Sequence, residues 1–362
     1  MYNMVNNMID KDVKIILFSI ALCIITALLA INLSYLVGVG LLGFEKSPLS
    51  PIIFAIFLGL LINNISVKLI KLEPGFKFCI KYLLKLGIIL LGIRLSLLDF
   101  VLYGSKSLMV VIPCILSSII IITLLKDKFD VSENLSLLIA VGTSICGATA
   151  IVALAPSINA KKTEITYAIA NITVFGLLAM FIYPVVANFV FSFNDLSVGL
   201  FLGSSIHETA QVAGSGLIYA EQYFRHDVVG IATLTKLVRN TLMVIVIPYL
   251  AHRSLSNNNT KPSVSTIFPY FIIGFIVFGL VRTFGDYYFT TYNSLAIENW
   301  SSVIEFIKKS AELLLIIAMA AVGYNTNFRY FKELGIKPFY LGFIAAFMVG
   351  LISISIIGLL IV

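Results

Sequence analysis

Charge is what this sequence has least of. Asp, Glu, Lys and Arg together make up 12% of its 362 residues, while 59% are hydrophobic. A soluble globular domain carries about 25% charged residues, so a soluble fold of this length is excluded. No polar run is long enough to form a separate soluble domain. Histidine is scarce, and the three residues His207, His226 and His252 are scattered, which argues against a metal centre. The four cysteines, Cys23, Cys79, Cys114 and Cys146, stand alone and mostly within apolar runs. They form neither a disulfide framework nor a CxxC metal site. There is no GxxxxGK[ST] loop and no HExxH pair, so neither nucleotide-driven chemistry nor a zinc protease is indicated. No cofactor and no metal are expected.

What is present is a succession of long apolar runs, with a mean hydropathy of +1.03. The expected fold class is an all-α polytopic membrane protein. Candidate segments lie at roughly 14–33, 50–67, 79–98, 107–125, 135–158, 164–190, 197–220, 228–250, 267–285, 310–328 and 338–361. The first follows Lys11 and Lys14 and lacks a small-residue cleavage site, so it reads as a retained helix rather than a signal peptide. The net charge of +7 comes from Lys and Arg between apolar runs. That pattern marks cytoplasmic loops facing the lipid bilayer, not nucleic-acid binding.

Two segments differ from the rest. Gly142-Thr143-Ser144-Ile145-Cys146-Gly147-Ala148-Thr149-Ala150 and Gly203-Ser204-Ser205-Ile206-His207-Glu208-Thr209-Ala210-Gln211 interrupt apolar runs with glycine and polar groups. Each reads as a broken helix. Lys126 and Lys128 precede 135–158, and Lys161 and Lys162 follow it. If the segment crossed the membrane, these pairs would lie on opposite sides. If it turns back as a re-entrant hairpin, all four stay inside. The same treatment of 197–220 keeps Asn194 and Asp195 outside and 251–266, with Arg253 and Lys261, inside. The 68–85 region (Lys68, Lys71, Lys77, Lys81, Lys85) and the 329–337 loop (Arg329, Lys332, Lys337) also fall inside. The preferred arrangement is about nine spans plus two hairpins, with the N-terminus cytoplasmic. Full crossing, with eleven segments, is the alternative.

Internal repetition agrees with the hairpins. Gly92-Ile93-Arg94-Leu95 through Phe100 has a counterpart in Gly323-Tyr324-Asn325-Thr326 through Phe331. Ile182-Tyr183-Pro184-Val185 matches Val246-Ile247-Pro248-Tyr249. In the hairpin arrangement each pair has opposite orientation, as in the inverted repeats of secondary transporters. The chain then reads as one integral membrane domain: an extra N-terminal helix (1–34), a first repeat (50–190) and a second (197–362).

A hairpin places the start of its second half-helix in mid-membrane, where free N–H groups and the positive dipole end receive anions. The tips would lie near Gly147-Ala148-Thr149 and Glu208-Thr209-Ala210. The following helix adds Lys236 and Arg239, three apart on one face. They lie roughly 12 and 16 Å along the axis from a start near 228, where each cation costs about 3 kcal/mol. The matching first-repeat positions, Ile172 and Phe175, are neutral. Candidate substrate ligands are Thr143, Ser144, Gly147, Ala148, Thr149, Ser205, Thr209, Gln211, Lys236 and Arg239, with His207 and Glu208 for proton coupling. The plainer readings stand beside these. Lys236 could simply neutralise Glu208, although Arg239 would then lack a partner. His207 could be a packed core histidine, Arg94 could snorkel, Glu312 and Lys81 could be interfacial, and Cys146 could be a small core residue. An intramembrane serine hydrolase using Ser144, Ser205 and His207 is disfavoured. Ser205 and His207 are two apart and diverge on a helix, and no acidic orienter is placed. The protein is not expected to be an enzyme.

These motifs, with Lys236-Leu237-Val238-Arg239-Asn240 and Gly92-Ile93-Arg94-Leu95, resemble the YeiH-type bacterial membrane proteins often labelled sulfate exporters. The resemblance covers nearly the whole chain and implies a transporter more firmly than it implies sulfate. The chain is also similar, more distantly, to the cation/proton antiporter and anion transporter superfamily. That likeness implies a mobile core working against a scaffold, and a homodimer. The expectation is a plasma-membrane secondary transporter for a small anion, an oxyanion such as sulfate or a sulfonate. It would be proton-coupled, with a core carrying both hairpins that moves against segments 50–67, 79–98, 267–285 and 310–328. A passive anion channel and a substrate-binding sensor are the alternatives.

Overall fold

A computed structural model describes residues 2–41, 50–65, 72–191, 194–253, 269–292, 297–326 and 336–361. Lys68, Lys71, Lys261, Arg329, Lys332 and the repeat positions 327–331 lie outside them. The elements are α1 (Tyr2–Tyr35), α2 (Pro51–Ile65), α3 (Glu73–Phe78), α4 (Leu84–Leu91), α5 (Leu97–Leu125), α6 (Glu133–Ser144), α7 (Ala148–Leu154) and α8 (Lys162–Phe191). They continue with α9 (Asp195–Ser205), α10 (Thr209–Tyr223), α11 (Asp227–Thr241), α12 (Met243–Arg253), α13 (Phe271–Thr291), α14 (Ile297–Asn325) and α15 (Ile336–Leu360). Every regular element among the described residues is helical, and the chain is a polytopic all-α membrane protein. Among the described residues six helices are long and apolar enough to cross a membrane: Val13–Leu41, Leu97–Leu125, Lys162–Phe191, Asp227–His252, Phe271–Thr291 and Lys337–Leu360. The sequence-based count is higher because it includes α2, which has 15 described residues. It also includes the run of α3 and α4, divided by a π-helical turn at Cys79–Leu83, and the expected segment 310–328, which falls in the second half of α14.

The chain divides into two compact units. The first takes Met1–Arg94, Ala220–Phe224 and Ile273–Arg329. Small residues let its helices meet. A Cβ on Gly59 would lie 2.5 Å from the Ala320 carbonyl oxygen and 2.9 Å from the Tyr324 nitrogen, both backbone atoms of α14. Such close crossings replace the hydrophobic drive that is missing between helices in lipid. Tyr324 stacks on Phe76 at 4.7 Å and shares a 2.8 Å hydrogen bond with Thr26 of α1. Gly59→Leu should therefore lower the melting temperature of the detergent-purified protein by about 1–4 °C, from an overpacking cost of about 1–3 kcal/mol. Melting at the wild-type temperature would mean that α2 and α14 are not in tight contact.

Arg94 corrects an expectation. Its side chain is only 6% exposed and pairs with Glu312, whose side chain is 29% exposed. The apolar run begins near 310, but α14 begins at Ile297, so Glu312 sits mid-helix.

The second unit takes Leu95–Tyr219, Arg225–Ile272 and Tyr330–Val362, and it contains both interrupted stretches. A capping box of Ser96 and Asp99 starts α5, Ser132 caps α6, and Asn194 caps α9. The helix pairings show that both stretches turn back. Ser132 reaches Glu164 at 2.6 Å, and a Cβ on Gly142 would run into Ile172. Residues 132 and 142 thus meet 164 and 172 in the same order, so α6 and α8 are parallel. The intervening α7 must run back, and a Gly142 Cβ would lie 2.8 Å from Ile151 on α7. A straight interrupted helix would put those two residues about 13 Å apart. In the second stretch Asp195 pairs with Arg225 at 2.6 Å. Gly199 lies against Ile231, and Gly203 lies against Thr235. So α9 and α11 are parallel, and α10 returns between them. The core of this unit gathers Leu138, Ile139, Val141, Ile151, Ile172 and Ile247.

Candidate functional site

The site is where the two turns meet. The first break has Ile145 at φ −123°, ψ −89° and Gly147 at φ +67°, ψ −130°. Only glycine adopts the latter without strain. The second break has Ile206 extended at φ −81°, ψ 143°. The hydroxyls before each break bond back to their own helices. Ser204 donates to Leu200 at 2.6 Å, Ser205 to Phe201 at 2.5 Å, and Ser144 to Val141 at 3.4 Å. Ser144 and Ser205 were expected as ligands. Their hydroxyls donate to carbonyls within α6 and α9.

Each break leaves helix-terminal carbonyls without intrahelical donors. Lys236 and Arg239, both fully buried on α11, supply the donors. Lys236 Nζ donates to Ile145 O at 2.6 Å, to Ile206 O at 2.9 Å, and to His207 O. Arg239 donates through Nε to Ser144 O at 2.5 Å. Its Nη1 reaches Ser204 O at 2.7 Å and Ile206 O at 3.0 Å, and its Nη2 reaches Thr143 O. Both cations therefore sit at the carboxyl ends of α6 and α9, where the helix dipole favours positive charge. The expectation that Arg239 would lack a partner is overturned, because its partners are backbone carbonyls of both turns. Thr143, like Ser144, enters the site through its carbonyl.

The restarting helices meet a different group. The Glu208 side chain lies over Gly147, beside the Ala148 N–H at the start of α7, and has Lys236 as a charged neighbour. A Cβ on Gly147 would collide with the Glu208 side chain. The Glu208 N–H donates to Gln211 Oε1 at 3.1 Å, and Gln211 Nε2 donates to Thr173 O at 3.3 Å. Thr209 Oγ1 accepts from Asn240 Nδ2 at 3.0 Å. Thr149 is exposed, while Ala148, Glu208 and Thr209 are half-buried, so the cluster opens on this side. His207 is buried, and its Nδ1 has no hydrogen-bond partner among the described residues; the same is true of the Asn240 Oδ1. Cys146, in the first turn, donates its thiol to Met243 at 3.4 Å.

The structure thus brings together the turn residues Thr143, Ser144, Gly147, Ala148, His207, Glu208 and Thr209 with Gln211, Lys236 and Arg239. Thr149 lies at the open edge, and Ser205 lies behind the turn. Asn240 was not singled out in the sequence. Its signal was available, since it stands four residues after Lys236 on the same helix face.

The family described as "Conserved hypothetical protein 698" matches residues 16–342. A UPF0324 membrane protein of Fusobacterium nucleatum is 32% identical over 350 residues, covering 94% of this chain and 96% of its own length. A UPF0324 membrane protein of Streptococcus agalactiae serotype V is 32% identical over 319 residues, covering 87% and 91%. The UPF0324 inner membrane protein YeiH of Escherichia coli K12 is 30% identical over 295 residues, covering 80% of each. No solved structure matches.

Proposed function

This chain belongs to the UPF0324 family of membrane proteins, and on that premise we propose that it is a secondary transporter for a small anion. The observation that carries the reading is a charge imbalance. Two fully buried cations, Lys236 and Arg239, stand against one carboxylate, Glu208. The two carboxyl helix ends contribute about −0.5 each and the two restarting ends about +0.5 each, and these cancel. A net charge of about +1 is left in a largely dry interior, where an unmatched ion costs several kcal/mol. A small anion entering beside Thr149, Ala148 and Thr209 would neutralise it. An oxyanion such as sulfate, or a sulfonate, has the acceptor oxygens for the hydroxyls of Thr149 and Thr209.

In this reading the second unit is the carrier body and the first is the scaffold. Both hairpins are re-entrant, with about nine further spans related in inverted order. Lys77, Lys81, Lys85, Lys126, Lys128, Lys161 and Lys162 mark the cytoplasmic side of a bacterial plasma membrane. No catalytic step is involved, and the assembly is a homodimer.

The test is thermal stabilisation of the purified wild type by sulfate and methanesulfonate, followed by flux into proteoliposomes. At 100 times its dissociation constant a ligand contributes about 2.7 kcal/mol, so the melting point should rise by several degrees. Flux should saturate and show counter-transport, and Thr149→Trp should abolish it. Unsaturable flux would mean a channel. Stabilisation by sodium or a neutral solute, with none by any anion, would remove the anion reading.

A further inference from the structure

Resting on that anion site, we propose that Glu208 is a tethered counter-anion that fixes the site's capacity for added negative charge at one. A monoanion then binds without a proton, and a dianion binds only when Glu208 takes one up. The carboxylate already does what a bound anion would do. It reaches across from the second turn and passes over Gly147, where no Cβ could stand, beside the start of α7. Its own backbone is held by Gln211, so the side chain can move while the turn stays fixed. The ionisable groups around it are Lys236 on α11, the Cys146 thiol in the first turn, Arg239 one turn beyond Lys236, and His207 before it in the chain.

The charge balance sets the stoichiometry. Lys236 and Arg239 give +2 and ionised Glu208 gives −1, so the cluster carries +1 before substrate arrives. A sulfonate brings the sum to zero. Sulfate would bring it to −1, an uncompensated buried charge. One proton from bulk water on the Glu208 carboxylate restores zero. Nothing is oxidised and no covalent bond to the substrate forms. The single event is carboxylate plus proton giving carboxylic acid.

Isothermal titration of the full-length protein in detergent, in two buffers of different ionisation enthalpy, counts protons taken up per anion. Sulfate should take up about one, with affinity falling about tenfold per unit rise in pH above neutrality. Methanesulfonate should take up about none. Glu208→Gln keeps the shape of the side chain but cannot titrate. In that variant sulfate should bind without proton uptake and with a flat pH profile. Equal proton counts for the two anions in the wild type would overturn the proposal, as would persistence of sulfate's proton uptake in Glu208→Gln. If neither anion binds either protein, the anion site falls and the coupling falls with it. Binding of both without the valence difference removes the coupling alone.

Discussion

Arg239→Ala should lower the stability of the purified protein by about 3–5 kcal/mol, a fall of roughly 4–7 °C in melting temperature. The guanidinium holds four carbonyls from two separate turns: Thr143, Ser144, Ser204 and Ile206. Removing it strands buried acceptors that have no helical donor. Arg239→Lys should recover only part of the loss, because an ammonium lacks the flat fork that spans both turns. Lys236→Ala should be costly as well. The double variant should fall short of the sum, since both side chains bond Ile206 O. Thermal unfolding of the four proteins checks this. An Arg239→Ala protein that melts within a degree of wild type would show that the carbonyl bonds carry little. A practical consequence concerns function. Loss of anion binding in Arg239→Ala would not locate the substrate, because the same change dismantles the frame of the site. Thr149, exposed at the open edge, is the position at which binding and folding separate.

The second large effect is expected at Gly147. Its φ of +67° with ψ −130° is open to glycine and strained for any other residue. Gly147→Ala should cost about 2–4 kcal/mol, part from the backbone and part from pushing the Glu208 side chain aside. The two parts can be told apart. In a Glu208→Ala background the steric part vanishes, so Gly147→Ala should cost less there than in the wild type. A coupling of about 0.5–3 kcal/mol is expected from the cycle. Additivity would mean that Glu208 does not lie over Gly147.

The breaks were legible in the sequence, and the reason is chemical. Glycine beside Ser and Thr in an apolar run marks backbone that must leave the helix. The expected tips at Gly147–Thr149 and Glu208–Ala210 fall where α7 and α10 restart, at Ala148 and Thr209. Turning back, rather than crossing, followed from the lysines around 135–158 and agrees with the parallel pairing of α6 with α8 and of α9 with α11. The partners of Lys236 and Arg239 were not legible. They are main-chain carbonyls, which every residue possesses, so residue types carry no trace of them. Arg94 with Glu312 was missed for another reason. The polar first half of α14 escapes a hydropathy reading, which puts Glu312 near a helix start although it lies mid-helix.

The shared grip of α11 on both turns also has a consequence for biogenesis. The ribosome completes the first hairpin at about residue 158, yet the cations that satisfy its carbonyls emerge about 80 residues later. At 5–20 residues per second that interval lasts roughly 4–16 s. During it the first turn has neither Lys236 nor Arg239, and its free carbonyls are poorly suited to lipid. Once α11 arrives, each of its cations would cost about 3 kcal/mol to insert alone. The insertion machinery must therefore keep the first hairpin out of bulk lipid until α11 is made, so that hairpins and helix enter the bilayer together as one late-maturing piece.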